Sequence, residues 1–211
     1  PGFYEGGAVT PADVEDDGVV VGEAEPSPGE ALHAFIWSEK AGIVDLEPGG
    51  LTHSQALSIS NNGRIVGVVY DDLDYPQPAC WEWQGSCYVR TNLPLPASSY
   101  GWAEDVDNAN VIVGGFVTTP GYYQQACVWE RDGDGEWVFA SIAHPAGVIA
   151  SKAKAINRHG VIAGIAEVDD GVEIYQVAFR YSLEEGFIIL SSGGANLAAA
   201  SAINGQGNVV G

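Results

Sequence analysis

Ile59-Ser-Asn-Asn-Gly-Arg-Ile-Val-Gly67 decides the fold, because its nine-residue pattern occurs five times in the chain. The other copies are Val14-Glu-Asp-Asp-Gly-Val-Val-Val-Gly22, Val106-Asp-Asn-Ala-Asn-Val-Ile-Val-Gly114, Ile156-Asn-Arg-His-Gly-Val-Ile-Ala-Gly164 and Ile203-Asn-Gly-Gln-Gly-Asn-Val-Val-Gly211. Their first residues lie 45, 47, 50 and 47 positions apart. A second motif falls between consecutive copies: Ala34-Phe-Ile-Trp37, Ala79-Cys-Trp-Glu82, Ala126-Cys-Val-Trp129 and Ala178-Phe-Arg-Tyr181. Two motifs locked to one period are the signature of a repeat array.

Each nine-residue copy reads as a hairpin. A β-branched residue ends one strand, and three residues, nearly all polar, follow. Then comes Gly18, Gly63, Asn110, Gly160 or Gly207, the residue types that tolerate the positive φ of a short hairpin loop. A β-branched run opens the next strand. The glycine closing each copy sits inside that strand, which implies a close backbone approach there. After a variable loop, the aromatic motif supplies a third strand, and a short turn leads to a fourth: Ile43 to Leu46, Cys87 to Arg90, Trp137 to Phe139 and Phe187 to Leu190.

Four short antiparallel strands per unit, repeated, predict an all-β protein, a β-propeller of four-stranded antiparallel blades. Residues 1–211 read as one repeat domain with units at about 8–50, 51–97, 98–145 and 146–194, plus the first hairpin of a fifth at 195–211. A β-solenoid is the alternative, but its coils are usually shorter and pair between coils. The first strand of each unit is expected innermost. Phe35, Cys80, Cys127 and Phe179 are expected to form one buried column, with Trp37 and Trp129 nearby. The Ala-rich stretch Asn196 to Ala202 takes the place of a first strand. Only Gly2-Phe-Tyr-Glu5 offers a strand to close a ring against the last hairpin, so the expectation is a longer protein or a neighbouring chain completing the sheet.

His33-Ala-Phe-Ile-Trp37, Gly42-Ile-Val-Asp-Leu-Glu-Pro-Gly-Gly50 and Ala202-Ile-Asn-Gly-Gln-Gly-Asn-Val-Val-Gly211 resemble the HAF repeat family, named for its His-Ala-Phe triplet. The resemblance covers essentially the whole chain, specifically in the first unit and loosely later, where Pro78, Gln125 and Val177 replace His33. It implies an extracellular or cell-surface setting and carries over no catalytic residue.

Composition narrows the function. With 28 acidic and 8 basic residues the net charge is −20, which argues against nucleic acid and anionic membrane surfaces as partners. No run of 18 apolar residues exists, so membrane insertion is not expected. A start at Pro1 reads as a processed form or a fragment. Three cysteines, Cys80, Cys87 and Cys127, are too few for a disulfide scaffold and lack zinc spacing. Cys80 and Cys87 lie across one hairpin, within conceivable reach of a disulfide.

Three groups of side chains are candidate sites. Asp132, Asp134 and Glu136 alternate in a Gly-containing turn, a pattern open to calcium, although a solvated hairpin is the plainer reading. Asp71, Asp72 and Asp74 form a second acidic loop, flanked by Tyr70 and Tyr75; Glu167, Asp169 and Asp170 form a third. Ser99-Tyr-Gly-Trp102 and Gly121-Tyr-Tyr-Gln124 are placed in inter-strand loops, so Tyr100, Trp102, Tyr122 and Tyr123 join Tyr70 and Tyr75 as rings beside carboxylates, a combination that holds sugars. The four histidines share no metal spacing and are read as structural. No zinc, nucleotide or redox cofactor is expected.

The reading is a secreted, non-catalytic binding or scaffolding propeller that engages a polysaccharide, a cell-surface component or copies of itself. Two rivals stand beside it. One is an extracellular glycan-active enzyme, which a paired Asp/Glu set in the central channel would favour. The other is a structural subunit of an extracellular assembly. First-strand residues are mostly small or neutral, with Glu104, Asp105 and Asp107 as exceptions, and this weighs against catalysis.

Overall fold

The computed structural model describes residues 3, 6–48, 52–119, 121, 123–190 and 199–211. Every regular element among them is a β-strand. The first sheet holds β1 (Val9–Val14), β2 (Val20–Ala24), β3 (His33–Ser38) and β4 (Gly42–Asp45). The second holds β5 (Ser54–Ile59), β6 (Ile65–Tyr70), β7 (Pro76–Trp83) and β8 (Tyr88–Asn92). The third holds β9 (Ser99–Val106), β10 (Ile112–Thr118), β11 (Gln125–Arg131) and β12 (Trp137–Ser141). The fourth holds β13 (Val148–Ile156), β14 (Ile162–Asp169), β15 (Ile174–Ser182) and β16 (Gly186–Ile189). A two-stranded fifth pairs β17 (Ala202–Ile203) with β18 (Val209–Val210). Each four-stranded sheet is an antiparallel meander in chain order. Among the described residues no helix is long and apolar enough to cross a membrane.

The hairpin motif explains the first two strands of every sheet. Gly18, Gly63, Asn110, Gly160 and Gly207 have φ of 81°, 75°, 71°, 72° and 82°. Asparagine tolerates that region better than other side chains, which accounts for Asn110. The first turn residue braces the loop from within. Asp107 Oδ1 accepts the Val111 N–H at 2.8 Å, and Asn157 and Asn204 do the same for Val161 and Asn208.

The first strand of each four-stranded sheet carries a β-bulge at the same place, at Ala12, Leu57, Glu104 and Lys154. The bulge drives a carbonyl oxygen toward the motif's closing glycine on the second strand. A Cβ on Gly22, Gly67, Gly114 or Gly164 would overlap Thr10, Gln55, Trp102 or Lys152 O. The close approach implied by the sequence is therefore made within one sheet.

Consecutive sheets pack face to face. β5 lies on β1, β2 and β3, β9 on β5, β6 and β7, and β13 on β9, β10 and β11. The first strands touch one another in series. The faces between them are apolar, with Trp81, Trp129 and Phe179 among the largest fully buried side chains. Trp37 is 37 % exposed, and among the described residues no other sheet packs on its side of the first one.

The register corrects the second aromatic motif. Val20 pairs with Trp37, Ile112 with Trp129 and Ile162 with Tyr181, but Ile65 pairs with Trp81. The column of Phe35, Cys127 and Phe179 thus continues through Ala79, not Cys80. Cys80 is buried on the opposite face, facing the third sheet. The ladder and the burial of Trp81 set this register, and they override the shared Ala-Cys pair. All three cysteines are free. Burial pushes the Cys80 thiol up to about 12 and raises Cys127 as well, so neither is a ready thiolate.

The residues Pro1, Gly2, Tyr4, Glu5, Tyr122 and 191–198 lie outside the described set, and with them most of the expected closing strand and the start of the Ala-rich stretch. Phe3 packs edge-on against Phe35 at 6.2 Å between centroids.

Candidate functional site

Tyr100 and Trp102 stand on β9, the first strand of the third sheet, and not in a loop as their Ser-Tyr-Gly-Trp context suggested. Gly101 is buried between them against the Phe116 backbone, so the strand runs through the glycine. From this strand an aromatic row reaches back to the second sheet, and a lysine of the fourth extends it. Tyr75, in the loop after β6, meets Tyr100 at 5.6 Å, and Tyr100 meets Trp102 edge-on at 5.9 Å. Lys152 of β13 places its ammonium 5.2 Å from the Trp102 ring centre. Tyr75 is 47 % exposed.

The row leads into a polar hollow. A cavity of about 220 Å³ is lined by Lys152, Gln124, Glu167, Gln176 and Tyr123. Tyr123 is exposed at its mouth. Lys152 is common to the row and the hollow, and it ion-pairs with Glu104, which also binds Lys154. Flat apolar rings beside a hollow of amide, ammonium and carboxylate groups can stack on a sugar and hydrogen-bond its hydroxyls.

Tyr70 is not part of this row. Its ring stacks on His53 at 5.0 Å and 3°, and His53 Nε2 lies 2.7 Å from Glu23 Oε2. Tyr122 lies outside the described residues. Lys152, Gln124 and Gln176 were not legible as site residues, because only the packing of β13 on β9 and β11 assembles them.

The acidic loops resolve into turn chemistry. Asp71 Oδ1 accepts the N–H groups of Leu73 and Tyr75 at 3.0 and 2.9 Å. Asp132 Oδ1 accepts those of Asp134 and Glu136 at 3.0 and 2.9 Å. Asp170 does so for Val172 and Glu173, and these bonds hold its carboxyl below the usual range. Asp72 and Asp74 are exposed beside Asp71. Among the described residues no three His, Cys, Asp or Glu side chains converge as a metal-binding group. Asp132, Asp134 and Glu136 are thus not brought together as a ligand set.

On the first strands of three sheets, two carboxylates flank one hydroxyl. Ser58 Oγ lies 2.9 Å from Asp13 Oδ2 and 2.7 Å from Asp105 Oδ1. Each carboxylate also accepts a backbone N–H from a following sheet, Asp13 from Ile59 at 3.0 Å and Asp105 from Ile156 at 2.8 Å. The arrangement ties sheets together. His33, buried at 4 % exposure, is likewise structural: its Nδ1 lies 3.0 Å from Asp45 Oδ2 across β3 and β4.

No family model matches the chain, and no curated protein matches it.

Proposed function

We propose that this protein is a β-propeller-type repeat array, one unit per blade, that acts outside the cell as a non-catalytic binding module for a neutral polysaccharide. The observation that carries the binding reading is the continuity of the Tyr75–Tyr100–Trp102 row with the hollow at Lys152, Gln124 and Gln176. A net charge of −20 disfavours polyanionic glycans, which leaves a neutral chain as the fitting ligand.

Three features support the propeller arrangement. The first strands touch in series, as innermost strands around an axis do. The hairpin tips are linked: Asn61 bonds Asp16 and Asn108, and Asn157 Nδ2 donates to Asn204 O at 2.9 Å. The tips of the first, second, fourth and fifth hairpins border one cavity of about 720 Å³. The resemblance to HAF repeats supports the extracellular setting. Against the enzyme reading, Glu104 is held between two lysines, and Asp13 and Asp105 bind backbone N–H groups.

A glycan-array screen followed by calorimetry on the best ligand tests the proposal. Tyr75→Ala and Tyr123→Ala, both exposed, are expected to weaken binding about tenfold each, in line with the loss of one stacking ring. Binding that survives both substitutions, or no binding to any neutral glycan, would sink it.

A further inference from the structure

A cavity of about 970 Å³ opens at the outer corner between the first and second sheets. Its walls are Val19, Ile36 and Val44 from one sheet and Trp83 and Tyr88 from the other. Glu15 and Asp17 stand at its edge, and among the described residues no lysine or arginine lines it. Trp83 is 57 % exposed and meets Tyr88 edge-on at 5.3 Å.

The repeat explains why this space is open. Val20 pairs with Trp37 as Ile65 pairs with Trp81. Val19 and Ser38 therefore stand where Arg64 and Glu82 stand one sheet later. By the same register, Trp83 and Tyr88 correspond to Arg131 and Trp137. In that next corner the Arg64 and Arg131 guanidinium carbons lie 5.2 and 4.5 Å from the Trp137 ring centre. Glu82 ion-pairs with both arginines. Two flat cations thus fill the second corner, set over an indole and bridged by one carboxylate. The first corner has an aromatic wall and the carboxylates of Glu15, Asp17 and Asp45, but Val19 and Ser38 bring no cation into it.

We propose that this cavity binds a small flat organic cation, an amidinium or guanidinium on an apolar body, stacked on Tyr88 and Trp83 with its charge toward Glu15 and Asp17. The ring faces attract the cation, and the carboxylates compensate its desolvation. Burial, and then the Glu15 charge, raise the Tyr88 phenol above its ordinary range, consistent with a carboxylate close to that ring.

Benzamidine is the probe, with neutral benzamide and anionic benzoate as isosteres, each titrated into the full chain by calorimetry. Cys87 also lines the cavity and is exposed, whereas Cys80 and Cys127 are buried, so the rate of Cys87 alkylation reports occupancy. Benzamidine is expected to bind saturably, about tenfold tighter than benzamide, and to slow alkylation, while benzoate does neither. The double substitution Val19→Arg with Ser38→Glu rebuilds the neighbouring corner and is expected to abolish binding with the circular dichroism of the native fold intact. If that variant does not fold, Asp17→Asn serves instead and is expected to weaken benzamidine severalfold. Equal affinity for benzamidine and benzamide, no saturable binding, or binding unchanged in the folded variant overturns the proposal.

Discussion

The carboxylate of Asp105 accepts the backbone N–H of Ile156 at 2.8 Å, and this bond joins the third sheet to the fourth across 51 residues of chain. The N–H lies just past the bulge at Lys154, where the ladder of β13 with β14 is interrupted. Asp13 plays the same part for Ile59 in the second sheet. A partly buried donor that loses its acceptor carries its full desolvation cost. Asp105→Ala is therefore expected to lower the unfolding free energy by about 1–3 kcal/mol. Asp105→Asn, which keeps a carbonyl acceptor, should cost less. Urea titrations of the two variants check the order.

The pH dependence of the same residue has a definite sign. Burial raises the Asp105 carboxyl above the ordinary aspartate value of 3.8, with Asp13 adding to the rise and the bonds from Ile156, Ser58 and Val106 opposing it. Ser58 has one proton to donate, so its contacts to both carboxylates are hydrogen bonds together only when one carboxyl is protonated. A folded pKa above the unfolded one contributes stability that is complete below pH 3.8 and is lost as pH rises through the folded value. The stability difference between wild type and Asp105→Asn is expected to shrink as pH climbs from 3.8 to the folded value, by at most about 1.4 kcal/mol per pH unit, the limit for one proton. A difference that grows with pH would contradict the assignment.

Gly114 tests the bulge. Its Cβ position overlaps Trp102 O, which is backbone and cannot swing away. Gly114→Ala is expected to destabilise by about 1–3 kcal/mol through overpacking. Gly133 has nothing within 4 Å of its Cβ position. Gly133→Ala should stay within about 0.5 kcal/mol of wild type. Thermal unfolding of the pair distinguishes a bulge requirement from a general intolerance of glycine replacement.

Two serines close the starts of third strands. Ser54 Oγ accepts the Ala34 N–H at 2.9 Å, and Ser151 Oγ accepts the Ala126 N–H at 3.1 Å, both in buried surroundings. At the corresponding place in the second sheet stands Pro78, which has no N–H to satisfy. Ser54→Ala and Ser151→Ala are each expected to cost about 1–3 kcal/mol. Amide hydrogen exchange at Ala34 and Ala126 should accelerate in the matching variant.

The sequence by itself determined the strands, their order and the hairpin chemistry, because those follow from short-range rules. Positive φ selects Gly or Asn at 18, 63, 110, 160 and 207, and β-branched runs select the strands on either side. Only the tertiary structure decided the rest. The one-residue offset of the second aromatic motif was hidden, since Ala79-Cys80 copies the neighbouring Ala126-Cys127 in letters while the β6–β7 ladder sets a different register. Calcium binding and a solvated turn are both open to Asp132, Asp134 and Glu136 on composition, which does not reveal that Asp132 accepts two backbone N–H groups. Trp102, Lys152 and Gln176 lie on three different strands, and Val19 and Ser38 gain meaning only against Arg64 and Glu82. Such groupings depend on how one sheet lies on the next, and side-chain packing across that interface has no period along the chain.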